Sequence, residues 1–156
     1  MNKLLYVFFS FIFFSFSVFA TEFKESQIKS FFDEYVSAAN SYSPNYFDYY
    51  IDNPKIIRVV EGEDGRQTSV QIPFDKYKSE TKKSLKLAKL RKYRNLYSNI
   101  RIFKQGKDYK VVAMRMPTTS DYKLPSYFII GEDSKGELKI KEESMNTRVQ
   151  RFLNDA

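Results

Sequence analysis

The 156-residue chain contains no cysteine, no histidine and no tryptophan, and only five glycines and five prolines. Each absence excludes a class of chemistry. Without cysteine there is no disulfide staple, no thiol nucleophile, no thiolate metal ligand and nothing to acylate. Without histidine, Ser-His and Cys-His nucleophile pairs, imidazole zinc sites and a neutral-pH imidazole switch are all excluded. Acid–base chemistry would fall to Asp, Glu, Lys or Tyr with displaced pKa values. No residue pattern points to a metal or a cofactor. The core must hold the fold unaided, and a chain of this length suits one domain that hides roughly 70% of its unfolded surface.

What is present begins with an N-terminal pattern. Lys3 is followed by an apolar run, Leu4 to Phe19, interrupted by Ser10, Ser15 and Ser17, and Val18-Phe19-Ala20 places short residues at the positions a signal peptidase reads. The run is short for a bilayer span, which needs about 20 apolar residues. The expectation is a signal peptide over residues 1–20, cleaved after Ala20, and a single secreted or periplasmic domain over 21–156; an uncleaved anchor is the alternative.

The formal charge of +7 is concentrated. Segment 75–94 holds nine Lys or Arg against two acids, which is +7 by itself; the remaining residues after position 20 sum to −1. The basic character is therefore one element and not a general property, and location decides which partners it favours.

Periodicity places a helix over 26–41, with Ser26 as N-cap and Ile28, Phe31, Phe32, Tyr35, Val36 and Ala39 on one face. Residues 45–51 read as a short aromatic helix or turn, ended by Asp52-Asn53-Pro54. Residues 55–60 and 66–72 form a hairpin across a Gly-rich turn. Residues 74–90 form the basic helix, with Phe74, Tyr77, Leu85 and Ala88 as its apolar face, extended by Leu87 and Leu90. Strands follow at 93–104, 109–116, 126–131 and 137–145. In the first of these, strict alternation puts Tyr97, Asn99, Arg101 and Phe103 on one face and Leu96, Ser98, Ile100 and Ile102 on the other. The tail from Asn146 reads as a short helix or frayed end.

This order — helix, short helix, hairpin, helix, four antiparallel strands — resembles the NTF2-like (cystatin-like cone) superfamily over nearly all of residues 26–145. The resemblance implies an α+β fold: a curved antiparallel sheet wrapped around a long N-terminal helix, with a cavity at the open end. It also implies homodimerisation through the open sheet face. The superfamily includes isomerases and dehydratases that use cavity Asp with His or Tyr, periplasmic lipid carriers, and secretion-machinery subunits. The His-dependent mechanisms cannot carry over to this chain.

Two candidate sites follow. The first is a ligand cavity with Tyr46, Asp48, Tyr50, Arg58 and Arg115, in which Asp48 would be a general base if burial raised its pKa, or simply a surface or capping carboxylate. Arg115 stands between Met114 and Met116 in an otherwise apolar strand, and a buried arginine must be paired or meet an anion. Its ordinary alternative is a carboxylate partner or the solvent face of the sheet. The second is the basic helix: Lys78, Lys82, Lys83, Lys86, Lys89, Arg91 and Lys92 would touch an anionic membrane surface or an acidic protein, or would simply be a solvated face. Nucleic acid is not an expected partner for an exported chain. The leading expectation is a non-enzymatic binder of a lipid or small apolar ligand. The alternatives are a cavity enzyme using a carboxylate and tyrosines, and an interaction subunit of an envelope or secretion assembly.

Overall fold

A computed structural model describes residues 22–155. The leader read over residues 1–20 lies outside the described residues. Helix α1 spans Glu25–Asn40 and buries Ile28, Phe32 and Tyr35 at helical spacing. Ser26 is not its cap. The helix starts one residue earlier, where the Gln27 side chain accepts the Lys24 backbone N–H at 2.8 Å, satisfying a donor that the first turn leaves open. A short 3-10 helix, Pro44–Tyr49, follows; Ser43 caps it by accepting the Asn45 N–H at 3.2 Å.

Strand β1 runs Tyr50–Glu61 and pairs with β2, Gln67–Ile72, in an antiparallel hairpin. Asp52-Asn53-Pro54 does not end a helix, as the sequence suggested. It sits inside β1, at a register shift between Tyr50 and Lys55, where a strand tolerates proline. Helix α2 spans Phe74–Leu90 and matches the expected bounds. Strands β3 (Asn95–Gln105), β4 (Asp108–Pro117), β5 (Leu124–Glu132) and β6 (Leu138–Thr147) then meander antiparallel, and a 3-10 helix, Gln150–Asp155, closes the chain. The six strands form one sheet in the order β2-β1-β6-β5-β4-β3, with β1 and β6 parallel.

The core lies between α1 and the sheet face it packs on. Phe32 meets Phe128 of β5 with ring centroids 5.0 Å apart and Tyr97 of β3 at 5.4 Å, in the tilted and edge-on geometries that aromatic pairs favour. Two irregularities decide which side chains reach that core. In β3 the pairing shifts between Ser98 and Arg101, and Asn99 has φ 53°. Tyr97 faces the core before the shift; Ile100 and Ile102 face it after. The strict alternation expected from sequence is therefore broken at Asn99, and the extra residue flips the pattern. In β6, Ile129 pairs with Glu142 but Ile130 with Ile140, so Lys141 is extra. Lys141 reaches across Gly131 to Asp108 at 2.7 Å, and a Cβ on Gly131 would lie 1.9 Å from the Asp108 carboxylate. Beyond this bulge the odd-numbered residues of β6, Glu143 and Met145, are buried.

Candidate functional site

Glu143 is the focus of the interior. Its side chain is 0% exposed, and both of its oxygens accept hydrogen bonds. Arg58, from neighbouring β1, donates to Oε1 at 2.6 Å. Tyr35 of α1 donates to Oε2 at 2.9 Å, and Tyr50 donates to the same oxygen. The hydroxyls continue outward: Tyr46 shares hydrogen bonds with Tyr50 at 2.8 Å and with Tyr77 of α2 at 2.7 Å. Helix, turn, strand and second helix thus converge on one carboxylate. Such a network stabilises only when each polar group is satisfied, and here each is.

The electrostatics follow from that geometry. Burial pushes the Tyr35, Tyr46 and Tyr50 phenols well above their ordinary range, and the nearby Glu143 charge adds to it. Burial by itself would lower Arg58, but the Glu143 charge more than offsets it and holds the guanidinium above its usual value. The tyrosines are therefore neutral hydrogen-bond donors. They are poorly suited to act as bases.

Outside this cluster a cavity of 610 Å³ lies between α1, α2 and the concave face of the sheet. Tyr35, Tyr46, Tyr77 and Arg58 form its floor, and Val36, Ala39, Leu85, Ala88 and Met145 supply apolar wall. Glu143 is behind the floor and does not line it, and no other Asp or Glu does among the described residues. Arg115 lines the far end. The even alternation of β4 puts it on the buried face with Tyr109, Val111 and Ala113. It donates to Asn95 Oδ1 at 3.0 Å and to the Asn146 carbonyl at 2.9 Å.

The structure therefore places Tyr46, Arg58 and Arg115 on the cavity, with Tyr50 immediately beneath. Asp48 is a correction. It is exposed on the opposite side of the 3-10 helix, where Lys139 donates to its backbone carbonyl, because Tyr46 and Tyr50 take the inward positions of that turn. Sequence reading missed Glu143, Tyr77 and Asn95 as site residues. Glu143 was hidden by the bulge at Lys141, which no simple alternation anticipates.

Helix α2 covers one side of the cavity with Tyr77, Thr81, Leu85 and Ala88. Leu87 and Leu90 do not extend its buried face; they are 47% and 80% exposed. Lys82, Lys83, Lys86, Lys89, Arg91 and Lys92 are exposed as well. Lys83 pairs with Glu80 at 3.0 Å, Lys78 pairs with Asp75 at 3.0 Å, and the ammonium groups of Lys78 and Lys82 lie over the Phe74 and Phe47 rings.

A curved mixed sheet closed around an N-terminal helix with a cavity at one end is the NTF2-like, cystatin-like fold, and this chain has it. Among solved structures it is similar to an NTF2-like protein of unknown function from Pseudomonas putida KT2440, with a TM-score of 0.58 and 9% identity over 78% of this chain and 84% of that one. An NTF2-like protein from Cytophaga hutchinsonii matches with a TM-score of 0.58 and 10% identity over 80% and 98%. One with a cystatin-like fold from Novosphingobium aromaticivorans matches with a TM-score of 0.58 and 6% identity over 78% and 79%. No family model matches the sequence, and no curated protein does. At these identities the likeness carries the fold and nothing of the activity.

Proposed function

We propose that this is an exported, non-enzymatic binding protein that holds an apolar or amphipathic small molecule in its cavity. The observation that carries the reading is the 610 Å³ cavity, to which α1 and α2 contribute Val36, Ala39, Leu85 and Ala88, and whose neighbouring carboxylate is withdrawn behind the floor. That volume is in the range of small-molecule sites. A catalytic carboxylate must come within hydrogen-bond reach of substrate. Glu143 instead has one oxygen on Arg58 and the other on two phenols. The export pattern of residues 1–20 supports an envelope or extracellular setting. The test is native mass spectrometry of protein purified from its own envelope. The expected result is a bound mass of lipid or metabolite size; protein bare under all gentle conditions would count against the reading.

The exposure of Leu87 and Leu90 among the lysines of α2 favours a second, compatible role. Apolar side chains ringed by cations suit an anionic membrane surface, where each Lys or Arg contributes about 1 kcal/mol. Reversing Lys82, Lys83 and Lys86 together to Glu is expected to remove sedimentation with phosphatidylglycerol vesicles while the circular dichroism spectrum stays unchanged. Undiminished sedimentation of the variant would exclude α2 as the contact.

A further inference from the structure

We infer that the cavity receives an amphipathic monocarboxylate, whose anionic group sits on the Arg115 guanidinium while its apolar part lies against α1 and α2. This rests on the cavity being a ligand site and names the class of ligand.

The inference starts from an imbalance between two buried arginines. Arg58 and Arg115 are each 6% exposed. Arg58 has a dedicated carboxylate, Glu143, at 2.6 Å. Arg115 makes no ion pair among the described residues; its partners are an amide oxygen and a backbone carbonyl. Its Nε is buried with no hydrogen-bond partner. An arginine cannot escape burial by losing its proton. An uncompensated buried charge is among the costliest features a fold can carry, so a protein that keeps one has a counter-charge to supply.

The surroundings fix what that counter-charge is. The cavity wall contains four arginines, Arg58, Arg91, Arg115 and Arg151, and no acid. Arg91 and Arg151 are exposed, and a cleft lined by one sign of charge draws in the opposite sign. Arg58 is already neutralised, which leaves one interior positive charge to match. A monoanion balances it, and a second negative charge would have only the exposed Arg91 and Arg151 to answer it. The guanidinium fork also suits a planar carboxylate.

Arg115 is held ready for such a partner. Asn95, which accepts from it, is fixed by reciprocal bonds with Asn40 at 2.9 and 3.0 Å and by the Tyr93 hydroxyl at 3.2 Å. The guanidinium therefore does not need to be ordered when ligand arrives, which lowers the cost of binding.

Calorimetric titration of the ligand-stripped protein with two acid–alcohol pairs tests this: decanoate against decanol, and 2-naphthoate against 2-naphthol. At least one acid is expected to bind about ten- to a hundred-fold more tightly than its alcohol, the difference one charge-assisted contact supplies. Arg115→Met is expected to erase that preference, and Arg115→Lys to retain part of it. Acid and alcohol bound equally by the unmodified protein would overturn the carboxylate inference and leave the cavity reading standing. That comparison decides the matter even where R115M does not fold. Acid preference undiminished in a folded R115M would overturn the role of Arg115. Binding of none of the four probes would overturn the cavity reading together with the inference.

Discussion

Replacing Glu143 by alanine is expected to cost about 3–5 kcal/mol of folding stability, the penalty for stranding a buried partner charge. The substitution leaves the Arg58 guanidinium enclosed without its anion, and leaves the Tyr35 and Tyr50 hydroxyls without their acceptor. For a domain whose total stability is typically about 5–15 kcal/mol, that is a large share. Urea unfolding monitored by circular dichroism measures it. The double variant Glu143→Leu with Arg58→Met removes both charges and should be markedly more stable than Glu143→Ala, since an apolar replacement of a buried pair is often neutral. A loss below about 1 kcal/mol for Glu143→Ala, the scale of an ordinary exposed ion pair, would mean that the cluster is not formed as described.

The same cluster sets the behaviour of the protein in alkali. Tyr35, Tyr46 and Tyr50 ionise well above 10 when folded, first because they are buried and then because the Glu143 charge and neighbouring phenols oppose a second negative charge. In the unfolded chain they ionise near 10. Their contribution to stability is therefore complete below pH 10. It falls as the pH rises toward the folded values, where the unfolded chain sheds protons that the native state retains. Each tyrosine contributes a slope of about 1.4 kcal/mol per pH unit in that window, and three together about 4. A cooperative unfolding step is expected within a few units above pH 10. Ultraviolet tyrosinate absorbance should rise first for exposed tyrosines, then in a second step that coincides with loss of the far-ultraviolet dichroism. Smooth, independent titration with the fold intact would contradict burial of the three phenols.

How much of this was legible in the sequence depends on where the strands are regular. The order of elements and the bounds of α2 could be read, because Phe74, Tyr77, Leu85 and Ala88 keep helical spacing and Pro73 marks the start. The inward position of Arg115 was left open in the sequence because a lone arginine between methionines is compatible with either face. It is settled by the unbroken alternation from Tyr109 to Pro117. Where a strand bulges, parity inverts and extrapolation fails. Counting by twos from buried Ile140 puts Glu142 inside and Glu143 outside; the extra residue Lys141 reverses them. The same happens at Asn99, a residue type that tolerates positive φ. Asp48, which takes the surface alternative, could not be placed for another reason: a six-residue 3-10 turn has too few positions for its inward face to be read from composition. The most important side chain of the interior was thus the one that a local pattern misassigns, since its placement depends on a reach from β6 across Gly131 to Asp108.

The fold explains why a chain without cysteine, histidine or tryptophan needs so many tyrosines. Ring packing fills the space between helix and sheet, while the hydroxyls supply the polar contacts around Glu143 that an all-apolar core would lack. Arg58 and Glu143 then neutralise each other inside, and the cavity beyond them is left with a wall part apolar and part polar and an unmatched buried arginine.

The most direct test of the central claim, that this cavity is an occupied binding site, is native mass spectrometry of the unmodified protein beside an Ala88→Phe variant, both purified gently from the cells that produce them. Ala88 lines the cavity from α2, so a phenyl ring there enters the space a ligand would use. The expected result is an added mass on the unmodified protein that the folded variant lacks. Equal added mass on both, or none on either, would contradict it.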